Sequence, residues 1–251
     1  SASMINTYLD CGRKFYFQYI KRLKPTEEKD ISHIVFGNFF HAAAKNFLES
    51  KYTLSPIDCV NDAFNSIEKE EEKAVITQSE KDTCIKYLET LQQYYKSDNQ
   101  FVEAEKSIKD VKIDLNGFSV QLQGIIDRID ITPQGEYVVI DYKTSKSKKE
   151  FKNSIPKLFD KEEKNKRNNY VLQVLFYAYL LRKKEFKVVD TQLIYPHLLK
   201  KDPNCSVYPF DEDIYNEYEN CLKTCLEEIF DKEQEWHSTE NCKYCDFKEI
   251  C

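Results

Sequence analysis

The sequence predicts an α/β architecture, a sheet flanked by helices, and three observations carry that expectation. Apolar residues recur at helical spacing over about 31–50 and 168–184, while 101–143 and 187–195 are rich in β-branched and aromatic residues. Pro133-Gln134-Gly135 separates two of the β stretches and suits a three-residue hairpin loop, because Pro presets φ at the first position and Gly tolerates positive φ at the third. The 251 residues, 41% hydrophobic and 32% charged, are enough for one sizeable core, with or without an inserted subdomain.

In chain order, Ser3 is placed to cap a helix running to about Lys21, with Cys11 near a break because Gly12 weakens helix there. Pro25 follows it, and Thr26–Asp30 reads as a charged loop. A helix over about Ile31–Ser50 buries Phe36, Phe39, Phe40, Ala43 and Phe47, with His41 beside that stripe. Two more helices, about Ile57–Ile76 and Ser79–Ser97, read as a helical insert over 56–98 within a single 1–251 domain. Strands follow at about Phe101–Ser107, Val111–Asp114 and Phe118–Gln123, the last after an Asn116-Gly117 turn. The hairpin Ile125–Thr132 and Glu136–Lys143 continues this run. A helix over about Asn168–Lys184, strands at Lys187–Tyr195 and Cys205–Phe210, and a charged helix over about Asp211–Trp236 complete the order.

The net charge of -6 argues against polyanion binding by the whole surface. Between Lys143 and Arg167, however, ten Lys and Arg stand against four Asp and Glu, a candidate polyanion track. No apolar run approaches the length of a membrane span. Nine cysteines, an odd number, and the absence of a signal-peptide pattern lead to the expectation of a cytoplasmic, reducing location rather than a disulfide framework. Cys59, Cys84, Cys205, Cys221 and Cys225 sit among apolar neighbours and read as small core residues.

The hairpin carries the chemistry. With its three-residue loop Thr132 pairs with Glu136, so Asp127 falls opposite Asp141 and Lys143 points to the same face. The rest of that face is Ile125, Ile129, Ile131 and Val139. Two close carboxylates repel unless a cation neutralises them, and Mg²⁺ or Mn²⁺ takes a few carboxylates plus water and phosphate oxygens. Lys143 is suited to orient a water or to neutralise charge on a phosphate. Arg128 and Asp130 point the other way and read as a structural ion pair. Alone, Asp-x-Lys is equally the pattern of a salt bridge on a sheet face.

The ordered set is more specific. Gly37–His41 on a helix, Gly124–Asp127, then Asp141-Tyr142-Lys143, then Gln173–Tyr177 on a later helix resemble the RecB-type PD-(D/E)XK nucleases. The resemblance implies a restriction-endonuclease-like core, a central mixed sheet flanked by helices. It implies a metal held by His41, Asp127, Asp141 and the carbonyl of Tyr142. Lys143 would be the catalytic lysine, with Gln173 and Tyr177 lining the site. Glu105 is a weaker candidate.

Four cysteines remain. Cys242-x-x-Cys245 followed by five residues and Cys251 has metal-binding spacing, and Cys11 is the candidate fourth thiolate. Spacing alone leaves structural zinc and an iron–sulfur cluster both open, because both accept four thiolates. The opening SASMINTYLDCGRKFYF together with this tail is similar to the iron–sulfur branch of these nucleases, which includes the AddB nuclease domain and the CRISPR-associated adaptation exonuclease. That resemblance implies a [4Fe-4S] cluster on Cys11, Cys242, Cys245 and Cys251, clasping 1–20 to 237–251. The branch commonly has Pro where this chain has Gly12. The function implied is a divalent-metal-dependent DNase, an exonuclease on single- or double-stranded DNA ends in recombination or repair. A helicase partner or a longer parent chain would feed it. The alternatives are a catalytically silent DNA-binding module of a helicase–nuclease complex and a CRISPR-adaptation exonuclease.

Overall fold

Among the described residues five strands form one mixed sheet in sequence order: β1 (Gln100–Leu115), β2 (Phe118–Ile131), β3 (Tyr137–Tyr142), β4 (Val188–Ile194) and β5 (Ser206–Pro209). Only β3 and β4 are parallel, joined by a crossover through α7 (Asn169–Arg182); the other neighbours are antiparallel. The structure, a computed structural model, describes the chain apart from residues 25–30, 146, 149, 163–166, 204, 232, 238–244 and 246.

Helices cover both faces of the sheet. One face packs Ile126, Ile129 and Val139 against α1 (Ala2–Asp10), α7 and α8 (Glu212–Ile229), with Leu175, Phe176 and Tyr218 in the same cluster. The other packs Val138, Ile140 and Tyr142 against α3 (Ser32–Glu49), α4 (Pro56–Asn65) and α6 (Gln78–Tyr94) through Phe40, Phe47, Val60 and Leu88. Helix α7 is apolar almost all round, which is what a helix buried between a sheet and other helices requires.

Several local expectations are corrected. Ser1 rather than Ser3 stands at the N-cap of α1, but the break at Cys11 is real: Cys11 is extended and α2 (Gly12–Phe15) starts after it. The expected 57–76 helix is two, α4 and α5 (Glu70–Val75). Ser66 ends the first, its hydroxyl donating to the Ala63 carbonyl at 2.7 Å in competition with the helix ladder. The three short strands are two long ones. Lys109-Asp110, which reads as a break, is absorbed as an irregularity between Ile108 and Val111 with Asp110 at φ +56°. The expected loop over 26–30 lies outside the described residues. Of the five cysteines expected in the core, Cys59, Cys84 and Cys225 are buried, whereas Cys205 and Cys221 are half-buried.

The hairpin forms as its sequence dictates. Gly135 has φ +81°, the Thr132 amide donates to the Glu136 carbonyl at 2.7 Å, and Arg128 pairs with Ile140 and Ile131 with Tyr137. One side-chain placement differs. Ile125 is 51% exposed, and Ile126 takes the buried position, in the same cluster as Ile129. Strict alternation would put residues 126 and 129 on opposite faces, so β2 turns its faces over between them. Asp127 and Arg128 lie in that turnover.

Candidate metal centre

Three carboxylates come into one row across three strands. Ala104 pairs with Arg128 and Lys106 with Ile126, which sets Glu105 opposite Asp127. The β2–β3 register sets Asp127 opposite Asp141. Glu105 has φ +51°, a left-handed backbone that a β-strand rarely holds and that costs free energy for a residue with a β-carbon. This strain falls where the side chain meets the site.

Helix α3 brings His41 over the row. Its Nδ1 lies 3.4 Å from Asp127 Oδ1 and 3.5 Å from Glu105 Oε1. The ligating atoms of His41, Glu105 and Asp127 lie within 4.8 Å of one another, close enough to share one cation. The other Asp127 oxygen is already engaged, accepting from the Tyr142 amide at 2.8 Å. Burial by itself would lower the His41 pKa, but Asp127, then Glu105 and Asp141, outweigh it and raise it to about 10. The imidazolium thus supplies the positive charge that the carboxylates require.

Asp141 is 1% exposed and pairs with Lys143, Oδ2 to Nζ 2.6 Å. Its Oδ1 is buried with no hydrogen-bond partner among the described residues. Burial raises the Asp141 pKa, Asp127 adds to the rise, and Lys143 and His41 oppose it. A buried carboxylate oxygen without a partner, beside hard oxygen donors and one imidazole, fits a divalent cation such as Mg²⁺ or Mn²⁺.

A second set of contacts holds Lys143. Its Nζ donates to Gln173 Oε1 at 2.9 Å, and Gln173 Nε2 donates to the Tyr177 hydroxyl at 2.8 Å. Gln173 and Tyr177 are one turn apart on α7, so a single helix face delivers both. Tyr177 packs against Gly124, where a β-carbon would come within 2.9 Å of its ring. Gly37, by contrast, has only an ordinary contact at 3.8 Å from Thr144 Oγ1.

On the opposite face Arg128 and Asp130 form the expected ion pair, bidentate at 2.7 and 2.8 Å and buried. Arg128 also donates to the Tyr142 hydroxyl at 3.1 Å and lies over the Tyr95 ring. The described part of the basic segment is charge-paired. Each described Lys or Arg between 143 and 167 has a carboxylate partner: Lys143 with Asp141, Lys148 with Asp202, Lys152 with Glu150, Lys157 with Asp160, Lys161 with Glu228, and Arg167 with Asp10.

The two chain ends meet each other. Arg13 donates to the Trp236 carbonyl at 3.2 Å and the Cys251 carbonyl at 3.1 Å, and Phe17 packs on Phe247. Cys11 Sγ accepts from the Lys14 amide at 3.4 Å. Cys11 and Cys245 are half-buried free thiols and Cys251 is exposed, while Cys242 lies outside the described residues.

All the hairpin and helix residues expected from sequence, His41, Asp127, Asp141, Lys143, Gln173 and Tyr177, gather at this centre. Glu105 is the residue that sequence reasoning ranked too low. Its signal was weak because the left-handed backbone that aims it has no Gly to mark it.

The family model described as PD-(D/E)XK nuclease superfamily matches residues 1–251. No curated protein matches the chain. Among solved structures 16 chains match. One of them, described as "Crystal structure of SSO0001", is 16% identical over 99% of this chain and 94% of that one, with a TM-score of 0.37. Among the described residues no helix is long and apolar enough to cross a membrane.

Proposed function

Because the chain belongs to the PD-(D/E)XK nuclease superfamily, we propose that it is a divalent-metal-dependent DNase, an exonuclease acting on DNA ends in recombination or repair. The observation that carries this reading is the convergence of His41, Glu105 and Asp127 beside the Asp141–Lys143 pair. Asp127, Asp141 and His41, with Glu105 and the Tyr142 carbonyl, would hold the ion. When bound, Mg²⁺ or Mn²⁺ supplies Lewis acidity toward the scissile phosphate and acidifies water.

The chain's own residues do the rest. Lys143 presents its ammonium beside Asp141, where it offsets negative charge that builds on a phosphate as it is attacked. Gln173 fixes the direction of that ammonium, and Tyr177 fixes Gln173. The Tyr142 amide holds one Asp127 oxygen and so orients the other toward His41.

A [4Fe-4S] cluster on Cys11, Cys242, Cys245 and Cys251 is part of the same proposal. Its support is the tail's cysteine spacing and the contacts of Arg13 with Trp236 and Cys251, which bring the two chain ends together. The cluster's role would be structural, closing a long loop.

The test is cleavage of end-labelled linear DNA and of circular DNA in Mn²⁺, single- and double-stranded, by the wild type and by Asp127→Ala and Lys143→Ala. Metal-dependent loss of linear DNA alone, abolished in both variants, is the expected result. Equal cleavage by all three proteins would overturn the site. Binding without any cleavage would favour a silent scaffolding module.

A further inference from the structure

We propose that Tyr170 is a positioning residue for Lys143, its ring face holding the ammonium together with Asp141 and Gln173. This inference deepens the nuclease reading above and rests on it. A lysine ammonium has three N–H donors on a flexible stem, and it stays in one place only when each has somewhere to point. Asp141 Oδ2 takes one at 2.6 Å and Gln173 Oε1 a second at 2.9 Å. The ammonium also lies over the Tyr170 ring, whose centroid is 4.6 Å from Nζ, inside the range in which the negative ring face attracts a cation.

The helix that carries the ring is anchored at that point. Asn168 caps α7, its side chain accepting from the Tyr170 amide at 3.1 Å and the Val171 amide at 3.2 Å. Tyr170 and Gln173 stand three residues apart, so one helix face delivers ring and amide to the same ammonium. Among the described residues the Tyr170 hydroxyl makes no hydrogen bond, so the contribution lies in the ring and phenylalanine preserves it. Without the ring, the ammonium keeps Asp141 and Gln173 but loses one of the three groups that hold it.

The experiment uses the full chain with Mn²⁺ and end-labelled DNA. Tyr170→Phe should cleave within about twofold of wild type, and Tyr170→Leu should lose about tenfold in kcat with KM nearly unchanged. Replacing Tyr170 by phenylalanines of increasing fluorination, which weakens the ring face without altering its size, should lower kcat stepwise at constant Tm. A packing role predicts no such gradient. A second readout is independent of activity: the Lys143 methylene protons next to Nζ should show an upfield ring-current shift in wild type and Tyr170→Phe that is lost in Tyr170→Leu. Wild-type cleavage by Tyr170→Leu, a flat fluorination series or no ring-current shift would each overturn the inference. A folded wild type that shows the shift yet never cleaves DNA would sustain the placement of Lys143 and overturn the nuclease reading instead.

Discussion

The ring of Tyr177 occupies the space that a β-carbon on residue 124 would need, at 2.9 Å from its Cε1. Gly124 therefore lets α7 close onto β2, and through Tyr177 and Gln173 it sets the position of Lys143. Gly124→Ala must push a buried aromatic ring aside. It should cost about 1–3 kcal/mol of stability, as overpacking does, and lower kcat more than KM. Urea unfolding together with steady-state cleavage tests both.

The metal centre should release a proton when it fills. His41 is raised to about 10, burial opposing the rise and Asp127, Glu105 and Asp141 driving it, so at neutral pH the imidazole must lose a proton before it can ligate. Mn²⁺ affinity should therefore rise with pH from 6 to 9, with about one proton released per ion in calorimetry across buffers of differing ionisation enthalpy. The metal-free protein should behave oppositely. A pKa raised on folding adds stability that is complete below the unfolded value, about 6.5 for His, and is lost as pH climbs through about 10. Asp141, also raised by its burial, acts in the same direction at lower pH. Thermal unfolding in chelator at several pH values checks the sign.

Removing one member of the Asp141–Lys143 pair should abolish cleavage for different reasons. Asp141→Asn removes a ligand and leaves Lys143 held by Gln173, so the fold should survive. Lys143→Ala strands a buried carboxylate and should cost about 3–5 kcal/mol in metal-free protein. Divalent metal should recover part of that loss. DNA binding should persist in both variants, read by fluorescence anisotropy in Ca²⁺.

Arg128 and Asp130 should matter to stability and not to metal. They pair with each other, buried with Tyr142 and Tyr95 on the α3 side of the sheet. Arg128→Met alone leaves Asp130 unpaired and should cost about 3–5 kcal/mol, while the double change to Met and Leu should recover most of it. Mn²⁺ titration of the double variant should match wild type.

The C-terminal cysteines make a separate prediction. Anaerobically purified protein should be brown, with iron and acid-labile sulfide, and Cys11→Ser should bleach it. A colourless protein with stoichiometric zinc would overturn the cluster in favour of a zinc site.

Much of the centre was legible because the hairpin register follows from loop chemistry. Pro133 and Gly135 fix the turn, and the turn fixes which aspartates face each other. Gln173 and Tyr177 were legible because helical spacing places them on one face. The misreadings share a cause. Strict alternation puts Ile125 on the buried face, and a regular strand pattern does not single out Glu105. Both lie where β1 and β2 depart from it, at a positive φ on Glu105 and at the turnover before Ile129. Irregularities stabilised by tertiary contacts leave no local trace when no Gly marks them. The pairing of Lys148, Lys161 and Arg167 was equally invisible, since their partners Asp202, Glu228 and Asp10 are distant in sequence.

The crossover through α7 has a consequence for the order in which the molecule comes into being. His41 is made before the sheet, Asp127 and Asp141 with it, and Gln173 and Tyr177 only afterwards. A nascent chain still emerging during synthesis can pair β1, β2 and β3, yet only Asp141 steadies Lys143 until α7 docks and β4 seals the parallel edge. Contacts between such distant segments form late. The half-made chain carries acidic side chains without an oriented lysine, so cutting power arrives only when the fold is complete.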